Sequence, residues 1–427
     1  MIYHRIITNI RTKHGLTQEK FADALGYETD YITALEDNYV QATFEFVTRL
    51  INKFDLHDSA ITEDAHATLM DNLNIFKHRI DSGELKEAAE MMPELEKKAN
   101  LSYSPAVENY FGLFAAYYYI TVGNKKALGE KMSALKKQTS KFNARHRYYY
   151  NHLIGMREFN AQRYKEALNA FLKAEKLDEH LEWNDVRFSY GYGLCLSAMG
   201  YISRAVEYFR KARHMSSWVK GYDGKSNSWY EVDIDCSLAN SLSRTGRIDE
   251  ALHILRNRLK LEKKKDNEKA RLSPVYLNIG IAYLYAKRYS DAIKNFDTAY
   301  QYPNQYNAHK TMLYHKALAL IESGNINKGL ICIREGLKVS TEDIWNVLLE
   351  ALECSVTLSD SESLKNMKTI AIPKLMKYYQ YAEAAKYHKE LSNFYIKMDD
   401  KDMALSHSFE AINVYEQLYE ERVKGGL

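Results

Sequence analysis

The chain has 427 residues, 46% of them apolar, and 59 bases against 56 acids for a net charge of +3, so its composition carries no nucleic-acid signature. Four cysteines, at 195, 236, 332 and 354, show neither CxxC nor other metal spacing, which argues against a disulfide framework and for a reducing compartment. Five prolines in so long a chain favour helices, and the length exceeds a single compact core unless the chain is built from repeats.

The first residues are amphipathic and lack the apolar core of a signal peptide. The longest mostly apolar run, 110–122, is too short to span a bilayer. A cytoplasmic protein with no membrane partner is expected.

From Ile2 to Leu56 the pattern is one of short helices with tight turns. Ile6, Ile7 and Ile10 mark an apolar face, and Gly15 stops the first helix. Thr17 caps a second helix, with Glu19 in its first turn and Gly26 at its end. A third helix buries Ile32 and Leu35, and a fourth runs from Phe44 to Phe54.

The stretch GLTQEKFADALGYETDYITALEDN, residues 15–38, resembles the helix-turn-helix of the phage-repressor (XRE) family. It carries Gly15-Leu16-Thr17-Gln18-Glu19, Phe21-Ala22, Leu25-Gly26, Ile32, Leu35-Glu36 and Asn38 at the family's spacing. The resemblance implies double-stranded DNA as a partner. Arg11, Lys13, Thr17 and Gln18 would lie toward the phosphates, and Glu28, Thr29, Asp30 and Thr33 toward the bases, with Asn38 at the motif's end. Against this stands charge: residues 1–58 hold six bases and nine acids, and 28–37 holds four acids and no base. The motif therefore has two readings, a DNA reader or a bundle that contacts protein.

After a short polar stretch the rhythm becomes that of helix pairs. Tyr276 to Tyr300, YLNIGIAYLYAKRYSDAIKNFDTAY, resembles one tetratricopeptide repeat, with small Gly280, Ala292 and Ala299 set against large Tyr283, Tyr289 and Phe296. Turn signals recur at Gly83, Gly123, near Gln162, Gly200, Gly246, near Lys287, Gly324, near Asp360 and Asp399. Small residues follow at Ala88, Ala167, Ala205, Ala251, Ala292, Gly329 and Ala404, with Leu128 as an exception. An all-α chain is expected, with a helix-turn-helix domain at 1–58, a linker at 59–68, and about nine repeats over 69–427 forming a right-handed superhelix with a concave channel.

Carrying helix positions from repeat to repeat gives an inward face of Tyr149, His152, Arg187, Tyr190, Asn240, Arg244, Asn278 and Tyr314. Primary amides donate and accept at once and so suit an extended peptide backbone, and Arg187 and Arg244 suit a carboxylate. The two asparagines can equally serve loops or neighbouring helices. The basic run at 256–271 is expected to be a solvated extension. The tyrosines at 110–122 and 148–150 are expected to pack between repeats. Gly191 and Gly193 follow no strand and make no dinucleotide loop, and the 14 histidines show no metal pattern. No cofactor, metal or catalytic group is expected.

The order of the two parts resembles the peptide-pheromone regulators of Gram-positive bacteria, the Rap, NprR and PlcR group, and fits the NprR type best. That resemblance implies a homodimeric, non-enzymatic transcriptional regulator whose partner is a short signalling peptide held in the channel by asparagines, a role carried to Asn240 and Asn278. An alternative within the same group is a Rap-like phosphatase or inhibitor acting on a response-regulator protein.

Overall fold

The computed structural model describes residues 4–56, 63–178, 185–216, 228–264, 269–302, 309–338 and 343–424, which are helical with no strand among them. They fall into two compact units. One comprises Met1–Arg157, Asn169–Trp183 and Val219–Asn227, the other Glu158–Leu168, Asn184–Trp218 and Ser228–Leu427.

The first unit opens with α1 (His4–Lys13), α2 (Gln18–Leu25), α3 (Thr29–Glu36) and α4 (Phe44–Phe54). Local chemistry sets the boundaries. Gly15 takes a left-handed φ of 66° after α1. The Thr17 hydroxyl accepts from the Lys20 amide at 3.2 Å to start α2, and Gly26, at φ 72°, ends it. Thr43 caps α4 through the Phe46 amide at 3.1 Å. Ile6, Ile7, Ile10, Phe21, Leu25, Ile32, Leu35, Phe46 and Leu50 form one core, against which Tyr103 packs from farther along the chain. The four short helices lie where the sequence pattern placed them, within a compact unit that continues to Arg157. Residues 63–68 already belong to α5, because an apolar face at Leu69, Leu73, Phe76 and Ile80 makes this helix worth extending; 59–62 lie outside the described residues.

Helices then come in antiparallel pairs. In order they are α5 (Glu63–Ser82) with α6 (Leu85–Leu101), α7 (Pro105–Thr121) with α8 (Lys125–Lys136), and α9 (Ala144–Asn160) with α10 (Tyr164–Asp178). Next come α11 (Val186–Ala198) with α12 (Ile202–Ser216), α13 (Ser228–Arg244) with α14 (Ile248–Lys263), and α15 (Leu272–Tyr285) with α16 (Tyr289–Tyr300). The last are α17 (His309–Glu322) with α18 (Ile326–Leu337), α19 (Ile344–Val356) with α20 (Ser361–Asn366) and α21 (Ile372–Lys377), and α22 (Tyr381–Lys397) with α23 (Lys401–Lys424). Eight of the nine expected turns contain a left-handed residue: Gly83, Gly123, Gln162, Gly200, Gly246, Lys287, Gly324 and Asp399.

The ninth differs. Asp360 does not turn left-handed; its carboxylate accepts from the Ser363 amide at 2.8 Å and caps α20. The second half of this pair is then interrupted by a π turn at Met367–Ala371, just before Pro373. A proline has no N–H and crowds the carbonyl four residues back, so the widened turn accommodates it. The left-handed residue falls instead at Tyr379, between pairs.

The packing within a pair is set by missing side-chain atoms. A Cβ on Gly280 would sit 2.5 Å from the Phe296 ring, and Gly193 stands in the same relation to Phe209 and Gly155 to Phe171. In each case the glycine lies on the first helix, and the phenylalanine, sixteen residues on, fills its place. Ala88, Ala167, Ala205, Ala251, Ala292 and Ala404 are all buried. So are Tyr110, Tyr117, Tyr148 and Tyr149.

One expectation is overturned in the second unit. The basic run is not simply solvated: Arg258 and Arg271 are buried, and Arg258 donates to Asp235 at 2.8 Å and to Glu231 at 2.9 Å. These carboxylates outweigh the cost of burial and hold the Arg258 guanidinium above its ordinary pKa. Residues 265–268 of the run lie outside the described residues.

Candidate functional site

In the head, the motif's polar residues are turned largely inward. Arg11 donates from Nε and Nη2 to the two oxygens of Glu36 at 2.7 and 2.9 Å, and from Nη1 to the Leu16 carbonyl at 3.0 Å. Hydrogen bonding to Glu36 raises the Arg11 pKa. Gln18 donates to the same carboxylate at 2.9 Å, and Thr33 donates to the Thr29 carbonyl at 3.1 Å with Gln18 Oε1 at 3.5 Å. Lys13 is also engaged, donating to the Asn100 carbonyl at 3.0 Å with its ammonium 4.6 Å from the centre of the Tyr103 ring. Thr17 is spent as a cap.

The exposed residues of α3 and its flanks are Glu28, Asp30, Asp37 and Asn38, and Asn38 holds φ at 62°. Thr29 and Thr33 are half-buried. Arg49 pairs with Glu45 at 2.8 Å and lies over Tyr27. Among the described residues, Lys20 and Lys53 are the head's exposed cations outside any ion pair.

Of the array positions expected to line a channel, two go into the core of the first unit. His152 has no exposed surface and its Nδ1 meets the Tyr117 hydroxyl; Tyr149 is buried edge-on against Phe114 and Tyr117. These two positions of α9 therefore carry packing rather than an open wall.

In the second unit the remaining six divide. Arg187 is buried with its guanidinium 5.8 Å from the Tyr230 ring centre, and Tyr190 stands against Tyr230 and Phe209. Asn278 donates to the Pro274 carbonyl at 2.9 Å, a bond within its own helix. Half-buried Asn240, one pair earlier, has no side-chain hydrogen bond to a described residue. Arg244 is exposed and donates to the Ser197 carbonyl at 3.3 Å. Tyr314 is buried, and that burial pushes its hydroxyl well above the usual phenol range, with Glu383 adding to the effect.

Arg244 and Tyr314 belong to a larger polar group, with Arg244 and Tyr285 at the C-terminal ends of α13 and α15, Tyr314 and His315 within α17, and Glu383 in the first turn of α22. Tyr285 is half-exposed as a residue, but desolvation of its hydroxyl pushes that group up; Arg244 opposes this and Glu383 adds to it. Burial, with the nearby Arg244 charge adding to it, lowers His315 to about 4. Burial and the Glu383 and Glu390 charges likewise push Tyr387 up. One oxygen of Glu383 is buried without a hydrogen-bond partner among the described residues.

The turn into α22 arrives at these helix ends. Gln380 donates to the Ala198 carbonyl at 3.4 Å, and the rings of Tyr379 and Tyr164 are 6.5 Å apart. Ala198 and Ser197 are in the last turn of α11, whose carbonyls have no partner within the helix. Gln380 donates to Ala198 from outside, and Arg244 adds a second donor at Ser197, whose carbonyl also accepts from the Gly200 amide at 3.2 Å.

Sequence reasoning missed Tyr285, His315 and Glu383. A signal for Tyr285 was present: Arg244 and Tyr285 each stand two residues before the left-handed turn of their pairs, at Gly246 and Lys287. Glu383 had no such signal, because its pair is reached only after the irregular one around Pro373.

No family model matches the chain. The transcriptional activator NprA of Geobacillus stearothermophilus is 22% identical over 388 residues, covering 86% of this chain and 92% of that protein. Among solved structures, a Rap protein complexed with competence and sporulation factor superposes with a TM-score of 0.69 at 16% identity, over 83% of this chain and 100% of that one. The quorum sensor NprR in complex with its cognate peptide NprX gives 0.65 at 18%, over 83% and 99%. Apo NprR from B. thuringiensis gives 0.64 at 18%, again over 83% and 99%. The fold is that of the Rap and NprR proteins, as the motifs led one to expect.

Proposed function

We propose that this chain, built on the fold shared by Rap and NprR, is a cytoplasmic transcriptional regulator whose state is set by a short signalling peptide. The observation that carries the reading is the polar group of the second unit: exposed Arg244, Tyr285, half-buried Asn240, and a buried Glu383 oxygen, the last two without a hydrogen-bond partner among the described residues. An amide without a partner suits a peptide backbone, and opposite charges on one face suit a ligand with both charges. The relative NprA, named a transcriptional activator, aligns over most of the chain and supports the regulatory half of the reading.

The peptide must bind one arrangement of the repeats better than another, since equal affinity shifts nothing. Contacts from the turn at Gln380 to the end of α11 are the ones a ligand among these helices would strengthen or break. In a homodimer, the changed arrangement alters the spacing of two head domains and hence the match to DNA half-sites. DNA binding rests on the motif and on Lys20 and Lys53, against a reading helix that shows only acids.

That last fact favours a second reading, in which the acidic head contacts a response-regulator protein instead. The experiment is calorimetry with synthetic peptides taken from small secreted precursors encoded beside the gene, followed by gel shifts on the adjacent promoter with and without the binder. Peptide binding with altered DNA mobility supports the first reading. Peptide binding without any DNA complex supports the second, and no peptide binding sinks both.

A further inference from the structure

We propose that a cavity at the end of α12 binds a phosphate group, held between Arg210 and Arg213 of α12 and Arg258 of α14. The cavity has a volume of about 460 Å³ and is lined by these three arginines with His214, Ser216 and Glu231, all within the second unit. Arg258 comes from the basic run at 256–271, a motif that neither the peptide site nor the head uses.

The charges stand in two tiers. In the inner tier Asp235 accepts from Arg213 Nε at 2.7 Å and from Arg258 Nε at 2.8 Å, while Arg258 Nη1 donates to Glu231 at 2.9 Å and to Glu262 at 3.4 Å. These bonds fasten α12 and α14 to α13. A network with no other task would end there, yet both Nη atoms of Arg213 and Nη2 of Arg258 have no hydrogen-bond partner among the described residues. At the rim, Arg210 donates to Glu250 at 2.7 Å, and Arg247 pairs with the same carboxylate. Two arginines share one acid, so the rim keeps a surplus of positive charge. The carbonyl end of a helix by itself repels an anion, but Arg213 and His214 stand in the last turn of α12 and offset it.

The donor set selects the ligand. A guanidinium meets an oxyanion through two parallel N–H bonds. A carboxylate has one plane and is filled by one such fork, whereas a phosphate presents oxygens in several directions and takes donors from α12 and α14 together. The cavity falls within the roughly 300–1,000 Å³ of small-molecule sites and has room for the rest of a phosphomonoester. Because α12 closes one helix pair and α13 and α14 form the next, a phosphate bound by all three arginines ties consecutive pairs together.

The inference goes beyond the peptide and DNA readings, and its test uses neither ligand, so either idea can fail alone. Calorimetry on the full chain in chloride buffer should show saturable binding of inorganic phosphate or glycerol 3-phosphate, and none of acetate at the same ionic strength. Tighter binding of the ester assigns a phosphomonoester as the ligand, and tighter binding of the ion assigns free phosphate. Arg210→Gln leaves the bonds to Asp235 intact and should weaken binding at least about tenfold, as loss of one charge-assisted hydrogen bond does. Arg213→Gln should weaken it as much, with helical circular dichroism confirming that the chain stays folded. Lys211→Gln removes the same charge one residue outside the lining and should leave affinity unchanged. Absence of saturable phosphate binding, equal binding of acetate, or equal losses in Arg210→Gln and Lys211→Gln would each overturn the proposal.

Discussion

Arg11 and Glu36 form a two-pronged ion pair, at 2.7 and 2.9 Å, that joins the first helix of the head to the end of the third. Both side chains are largely withdrawn from solvent. The arginine that the motif offers to DNA therefore holds the motif together. Replacing Arg11 with alanine strands the Glu36 carboxylate, and we expect a loss of roughly 3 kcal/mol of head stability. The double variant Arg11→Ala/Glu36→Ala should recover part of that loss in thermal unfolding, whereas additive losses would mean that the two residues are not coupled.

Acid should unfold the repeats through two histidines. His146 and His315 are lowered to about 4, mainly by burial. An unfolded histidine takes its proton near pH 6.5, so between about 6.5 and 4 the unfolded chain binds more protons and stability rises with pH. The contribution is full above pH 6.5 and lost as pH falls toward 4. For fully buried His146 it is on the order of 3 kcal/mol, given 1.36 kcal/mol per unit. Denaturant midpoints that drop between pH 7 and pH 5 in the native chain, and drop less in His146→Phe, would bear this out.

Gly280→Ala places a methyl group 2.5 Å from the Phe296 ring. Both lie within helices that cannot easily separate, so the substitution should cost about 1–3 kcal/mol. Pairing it with Phe296→Leu should return part of the loss, because the smaller side chain makes room. A melting temperature for Gly280→Ala equal to that of the native chain would show that the pair yields more readily than its packing suggests.

Asn240 and Asn278 should part company. Asn278→Ala removes a bond to the Pro274 carbonyl and should lower stability by about 1 kcal/mol. Asn240→Ala removes no bond to a described residue; it should leave the melting temperature unchanged and weaken peptide affinity about tenfold, as loss of one hydrogen bond in a site does. Calorimetry and thermal melts on the two variants separate these effects.

The repeats were legible because their determinants are local. A left-handed turn and the small residue after it lie within a few positions of each other, and seven of the eight left-handed turns follow that pattern, Leu128 after Gly123 being the exception. The failure at Asp360 has a local cause as well: its carboxylate caps α20 through the Ser363 amide, so the residue starts a helix where a left-handed turn was expected. The site was less legible. Carrying positions along a repeat works where pairs are regular, as from Arg244 to Tyr285, but it does not say which inward positions are covered by neighbours. His152 and Tyr149 were assigned to a wall and are core, because the aromatic residues of α7 pack over them. The Arg11–Glu36 pair spans 25 residues, and composition counted its charges as surface charges.

Lys13 carries one more consequence. By holding the Asn100 carbonyl and lying over Tyr103, itself at a left-handed φ of 49°, it fixes the head to the bend between α6 and α7. A head on a loose tether would wander over all orientations and average out any tilt of the helices beneath it. A head clamped at that bend behaves as the pointer of a gauge: a rotation of α6 against α7 too small to break any contact is carried outward with the head and read as displacement at α3. Sensitivity in such an instrument comes from the stiffness of the mounting, and Lys13→Ala should dull the reading while leaving both the head and the repeats folded.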